Sequence, residues 1–266
     1  MRTIRFTSYC IVILSLFNSC HVEETAQEIL RNTIASIDTI ETIYYKQEMA
    51  RTNPQNLNDT IFRYREMYFE RLLGDSIVGV KGHWFMYVDD KVNVIYEDIY
   101  DGKRLVRKNN NDSVSRIYDL EKYPKFKKQH FWGHNTPFAM QHEFKYMLGH
   151  SASYSAVRLD DTIVLGNQCF QILVKLEGKT TMPGFLIKLE ESDGSISETL
   201  LVIDKKTYYP IKMRGVSYMS DHPGQKIFID QKYYDIDFNL RINGAEYFNT
   251  SSESLTGFEI IEMQPN

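Results

Sequence analysis

Apolar positions along this chain recur mostly at every second residue, in short runs set between polar turns, and only twice with a helical period. In residues 23–43, Ile29, Leu30, Ile34, Ile37 and Ile40 fall three or four apart and form one stripe. Glu23, Glu24 and Glu28 occupy the early turns, where negative charge suits the positive end of a helix. A stripe of this kind packs on a sheet. The second helical stretch is 137–148, with Thr136 as N-cap, Pro137 at the first position and Gly149 as the stop. Strand-like runs cover 44–49, 60–69, 78–89 and 91–100, and Leu105 and Val106 begin a shorter one. Along 60–69 the alternation is clear. Ile61, Arg63, Arg65 and Met67 point one way, and Phe62, Tyr64, Glu66 and Tyr68 the other. Residues 108–113 read as a polar loop, and 122–149 breaks the β rhythm. Strands resume at 153–159, 161–165, 168–176, 185–189, 198–204, 209–218 and 226–238, with a last short one at 258–263. Asp101-Gly102, Gly166-Asn167, Asp193-Gly194, residues 205–207 and Asn243-Gly244 supply the turns. Many short strands with two separated helices predict an α+β, antiparallel domain.

The amino terminus changes the compartment. Arg2 and Arg5 precede an apolar run over 9–17 that is too short to span a bilayer, which takes about 20 apolar residues. A charged start, a short apolar core and a small-residue stop form a secretory leader. Ser19-Cys20 at its end resembles the lipobox cut by lipoprotein signal peptidase, after which Cys20 becomes the acylated first residue. Phe17 stands where the usual box has Leu, with Leu16 one place earlier. The looser box, and Glu23 and Glu24 after the Cys, resemble lipoproteins of the Bacteroidetes type. An ordinary leader with a chance cysteine is the alternative. The expected organisation is a signal peptide over 1–19, one domain over 20–250, and a polar tail or the start of a linker over 251–266. The expected location is the cell envelope, on the outer membrane and facing either the periplasm or the surface, with the membrane partnered through the lipid anchor.

Composition narrows the classes further. The net charge is −4 with mixed signs, and loss of Arg2 and Arg5 makes it two units more negative. No Lys/Arg-rich patch with interleaved aromatics appears, so nucleic acid is not an expected partner. Aromatic residues reach 13% with 18 tyrosines, which favours strands. Cys169 would be the one cysteine beyond Cys20. It reads as a small buried hydrophobe, with a reactive thiol as the sharper alternative.

Two motifs then carry a resemblance. Tyr100-Asp101-Gly102 forms a turn, and Val202-Ile203-Asp204-Lys205-Lys206-Thr207-Tyr208-Tyr209-Pro210-Ile211-Lys212-Met213 forms a late hairpin. With the N-terminal helix and the inner helix, they resemble the bacterial lipoprotein-localisation carrier (Lol-like) superfamily over roughly residues 23–238. The resemblance implies a strongly curved antiparallel β-sheet, an incomplete barrel, with an N-terminal helix and an inserted helix closing the hollow. It implies a non-catalytic protein that binds an acyl chain or another hydrophobic ligand. Trp84, Phe85, Tyr87, Phe131, Trp132, Phe138 and Phe144 are the candidate lining residues, with plain core packing as the alternative for these aromatics. It also implies a second reading. Similar domains precede thioredoxin-like domains in longer lipoproteins, so a thioredoxin-like protein is a candidate partner. This sequence has no Cys-x-x-Cys of its own.

Catalytic constellations are weak. His130, His134, His142 and His150 cluster in sequence, but Gly133 and Pro137 interrupt a helical His-x3-His pair. His142-Glu143 has no second histidine in the zincin position. The carboxylate pairs Asp89-Asp90, Glu97-Asp98, Asp160-Asp161 and Glu190-Glu191 are adjacent residues, which a strand sends to opposite faces. No nucleophile elbow or phosphate loop is present, and no cofactor is expected.

Overall fold

The computed structural model describes residues 23–75, 79–87, 91–123, 137–150, 154–180, 190–241 and 243–264. The chain begins with helix α1 (Ala26–Asp38), followed by strands β1 (Thr42–Asn53), β2 (Asn56–Arg71), β3 (Val80–Tyr87), β4 (Val94–Tyr100), β5 (Arg104–Asn109) and β6 (Val114–Asp119). Helix α2 (Pro137–Gly149) is followed by β7 (Ser155–Val164), β8 (Asn167–Thr180), β9 (Glu190–Asp204), β10 (Pro210–Met219) and β11 (His222–Phe238). A short helix α3 (Gly244–Tyr247), a 3-10 turn (Ser252–Leu255) and β12 (Glu259–Met263) end it.

All twelve strands join one curved, unclosed sheet in the order β12-β6-β5-β4-β3-β2-β1-β11-β10-β9-β8-β7. Neighbours are antiparallel except for β12, which runs parallel to β6. The chain lays down β1 to β6 to one side of β1, then returns from the far edge through β7 to β11 to pair β11 with the free side of β1. The middle of the sheet is therefore made by strands far apart in sequence. The α+β antiparallel expectation holds in this arrangement.

Local chemistry fixes the first helix. The Thr25 side chain accepts from the Glu28 amide at 3.2 Å, and the Glu28 carboxylate accepts from the Thr25 amide at 2.8 Å. This capping box satisfies two donors at the helix start. Ile29, Leu30 and Ile37 are buried, as their spacing predicts. The helix is shorter than the expected 23–43, because Ile43 is taken into the ladder opposite Phe69 and Phe238. The Arg71 guanidinium donates to the carbonyls of Ile37 and Ile40 at 2.6 and 2.9 Å and caps the end that results.

Strand edges also differ from the sequence pattern. Residues 114–119, not read as a strand, form β6. Asp193-Gly194, expected as a turn, lies inside β9. There the register slips opposite Glu177 and Lys179, Gly194 takes φ +76°, and its carbonyl accepts from the Ser220 amide at 2.7 Å. This is a bulge, which needs the same left-handed glycine that a turn does. The hairpin at 205–207 is as expected, its Asp204 carboxylate accepting from the amides of Lys206 and Thr207 at 3.0 and 2.8 Å.

One face of the sheet, here the inner face, carries the main core. Tyr45, Met67, Phe69, Val80, Trp84, Leu105, Ile172, Val174, Leu201 and Ile203 share one cluster with Ile29, Leu30 and Ile37 of α1 and Met140, Phe144 and Met147 of α2. Gln141 of α2 donates to the Ile34 carbonyl at 3.0 Å and ties the two helices together. The outer face is covered over β2 to β6 by the C-terminal segment. Phe248 and Leu255 are buried there, and the Tyr247 ring packs 4.9 Å from Tyr68 and 5.5 Å from His83. The last short strand expected at 258–263 is present as β12, paired with β6. Cys169 is fully buried beside Val202 and Ile211, and burial raises its thiol pKa, which suits a packing residue. Among the described residues, no helix is long and apolar enough to cross a membrane.

Candidate ligand site on the inner face

The long strands β1, β2, β10 and β11 carry the inner face onward from the part that packs on the helices. Register shows what it presents there. On β2 the inward positions after Phe69 and Met67 are Arg65, Arg63 and Ile61. Opposite them on β1 stand Gln47, Met49 and Arg51. Across β11 follow Tyr233, Gln231 and Ile229, then Met213 and Gly215 on β10, with Leu201 and Thr199 on β9. On the other side Arg65 faces Met86, and Met86 faces Tyr96. The surface is mixed: methionines and isoleucines, a set of amides and hydroxyls, and three arginines.

The polar groups form a chain. Arg65 Nη1 donates to Gln47 Oε1 at 3.3 Å, Gln47 Nε2 donates to Gln231 Oε1 at 3.0 Å, and the Tyr233 hydroxyl donates to the same oxygen at 2.6 Å. Gln47, Gln231 and Tyr233 are all buried. Two strands from Arg65, on β4, Asp98 is buried and holds Arg107 through two hydrogen bonds of 2.8 and 2.6 Å. Burial, together with the nearby charges of Arg51 and Arg63, lowers the Arg65 pKa, although Tyr45 and Asp98 oppose this.

The outer face sorts the opposite charge. Glu48, Glu66 and Glu97 lie there, one residue away in register from the arginines and Asp98. Glu66 accepts hydrogen bonds from the hydroxyls of Tyr44 and Tyr87. Glu97 bonds His83 at 2.9 Å and Lys108 at 3.1 Å. Burial alone would raise the Glu97 pKa, but these two partners outweigh it and hold the carboxyl low. A groove of about 230 Å³ crosses this face between Glu48, Phe62, Tyr64, Lys212, Asp230 and Lys232. Its rim is charged.

The expected lining residues divide between these places. Trp84, Phe138 and Phe144 come together in the inner core and are almost fully enclosed. Phe85 and Tyr87 alternate to the outer face. The Phe85 ring packs 4.6 Å from His83, and Tyr87 bonds Glu66. Alternation forbids them from lining one cavity with Trp84. Phe131, Trp132 and Cys20, with His130 and His134, lie outside the described residues. His142 and His150 are exposed on and just after α2. Among the described residues, no group of three or more His, Cys, Asp or Glu stands together as a metal site. Glu97 and Asp98 do point to opposite faces. The sequence reading did not single out Arg63 and Arg65, which the sheet brings beside Arg51 on the inner face. Their shared side with Met67 was legible, whereas Arg51 joins them only through strand pairing.

No family model matches the chain, and no curated protein matches it. Solved structures give partial likenesses. The lipoprotein LppX of Mycobacterium tuberculosis aligns with TM-score 0.48 at 8% identity, covering 82% of this chain and 97% of its own. LprF of Mycobacterium bovis aligns with TM-score 0.46 at 12% identity, over 82% and 95%. A chain of the Pseudomonas aeruginosa MucA/MucB complex gives TM-score 0.45 at 11% identity. Here 86% of this chain is covered, and it spans only 62% of that one.

Proposed function

We propose that this chain is a non-catalytic protein of the bacterial cell envelope, anchored through an acylated Cys20, that holds an acyl chain or similar hydrophobic ligand against its inner face. One observation supports the reading most: the sheet is unclosed, and its inner face runs on from the helix-packed core, which includes Met213, onto Met49, Met86, Ile61 and Ile229. An open sheet with an apolar inner floor is a natural seat for a long chain, and methionine adapts to irregular apolar shapes. Helices α1 and α2 then close one side of the hollow.

The test is native mass spectrometry of the protein released from cell membranes in mild detergent, with the Cys20→Ala variant purified in parallel from the soluble fraction. The expected spectrum carries a discrete non-covalent adduct of lipid mass in both. The native protein additionally carries covalent acyl mass at its amino terminus. Protein free of any adduct, and unable to take up a fluorescent fatty acid or its methyl ester, would remove the ligand-binding reading.

A further inference from the structure

The inner face holds three arginines, Arg51, Arg63 and Arg65, none of which has a carboxylate in direct contact among the described residues. Among the described residues none of the three forms an ion pair. Among the described residues Arg63 donates to its neighbouring carbonyl of Phe62, and Arg65 to the Gln47 amide oxygen. The Nε atoms of Arg51 and Arg65 are buried and have no hydrogen-bond partner. Buried donors of this kind are rare, because each one left unmade costs the full desolvation of the group. The nearest inward carboxylate, Asp98, already has both oxygens on Arg107. The glutamates of β1, β2 and β4 that would neutralise them all lie on the outer face, at Glu48, Glu66, Glu70 and Glu97. The arginines sit next to apolar floor: Arg63 faces Met49, Arg65 faces Met86, and Arg51 faces Ile61 and Ile229.

Guanidinium groups held together with free donors match an oxyanion, since each fork presents paired N–H groups to two oxygens. Methionine and isoleucine beside them match a hydrocarbon. We infer that the ligand is an anionic amphiphile, its carboxylate or phosphate head received by Arg51, Arg63 and Arg65 and its chain lying along the adjoining apolar floor. This rests on the hydrophobic-ligand reading above and adds the head group to it. Burial is the main cause of the lowered Arg65 pKa, and an anion hydrogen-bonded to the guanidinium would offset that desolvation.

The experiment compares cis-parinaric acid with its uncharged methyl ester, by probe fluorescence on the full native chain at pH 8. The acid is ionised there, since ordinary carboxyl pKa values lie near 4. Charge-assisted hydrogen bonds predict that the acid binds roughly ten- to a hundredfold more tightly than the ester. The gap should narrow in high salt and collapse in the Arg63→Gln/Arg65→Gln variant while ester binding persists. Equal binding of acid and ester by the native chain overturns the head-group assignment and leaves the hydrophobic-ligand reading standing. Binding of neither overturns both. Displacement of the acid by micromolar inorganic phosphate overturns the amphiphile in favour of a free anion. The acid–ester comparison needs no variant, so it holds even where the double substitution fails to fold.

Discussion

Replacing Asp98 with alanine removes a buried carboxylate on the inner face of β4. Its side chain is only 1% exposed, and that of Arg107 is 29% exposed. Each of its two hydrogen bonds joins charged partners, and such bonds contribute about 1.5–3 kcal/mol. Breaking a buried pair costs about 3–5 kcal/mol, because the remaining charge is stranded. Arg107 is partly open, so water recovers some of its solvation, and the expected loss for Asp98→Ala is about 2–3 kcal/mol. The assay is urea unfolding followed by far-ultraviolet circular dichroism, read as the shift in midpoint at constant slope. A double-mutant cycle with Arg107→Ala isolates the pair, and the double variant should be less destabilised than the sum of the singles by about 1.5 kcal/mol or more. Additivity within about 0.5 kcal/mol would show that the pair is not coupled. A loss below about 1 kcal/mol for Asp98→Ala would show that the carboxylate is not enclosed, and the electrostatic description of the inner face would fall with it.

Gly82→Ala tests the packing of the core from the other side. A Cβ at this position would lie 2.8 Å from Trp84 Cζ3 and 2.9 Å from Phe69 Cε1, so the two rings must move. Overpacking of this kind costs about 1–3 kcal/mol. In a Trp132→Phe background the emission of Trp84 should shift as well, and unchanged stability and emission would contradict the contact. Glu97 predicts a pH dependence. Its pKa is held below the usual value by His83 and Lys108 against the effect of burial. It therefore contributes stability above the unfolded carboxyl pKa of about 4.3, and that stability is lost as pH falls through the lower folded pKa. The stability difference between the native protein and Glu97→Gln, measured from pH 7 down to pH 3, should shrink over that window. A difference that stays flat would mean the carboxyl is not selectively stabilised in its charged form.

The sequence alone determined the period of nearly every element. Alternation in 60–69 predicts which side chains of β2 share a face, because strand geometry leaves no other choice, and the structure keeps Arg63, Arg65 and Met67 together. Pro137 and Gly149 bracket α2, since each restricts the backbone locally. Long-range pairing decided the rest. Helix α1 stops early because the sheet claims Ile43, and the left-handed glycine at 194 serves a bulge because a long β8 lies alongside it. Which face was inner, and which aromatics could meet, depended on α1 and α2 packing together on one side. That put Trp84 in the core and sent Phe85 and Tyr87 to the opposite surface. The arginine group shows the same division. Two of its members are neighbours on one strand, but Arg51 reaches them through β1–β2 pairing, and Glu66, next after Arg65, is removed from the site by the pleat. Charge along the sequence is nearly balanced there. The uncompensated inner charge exists only because the sheet has two sides.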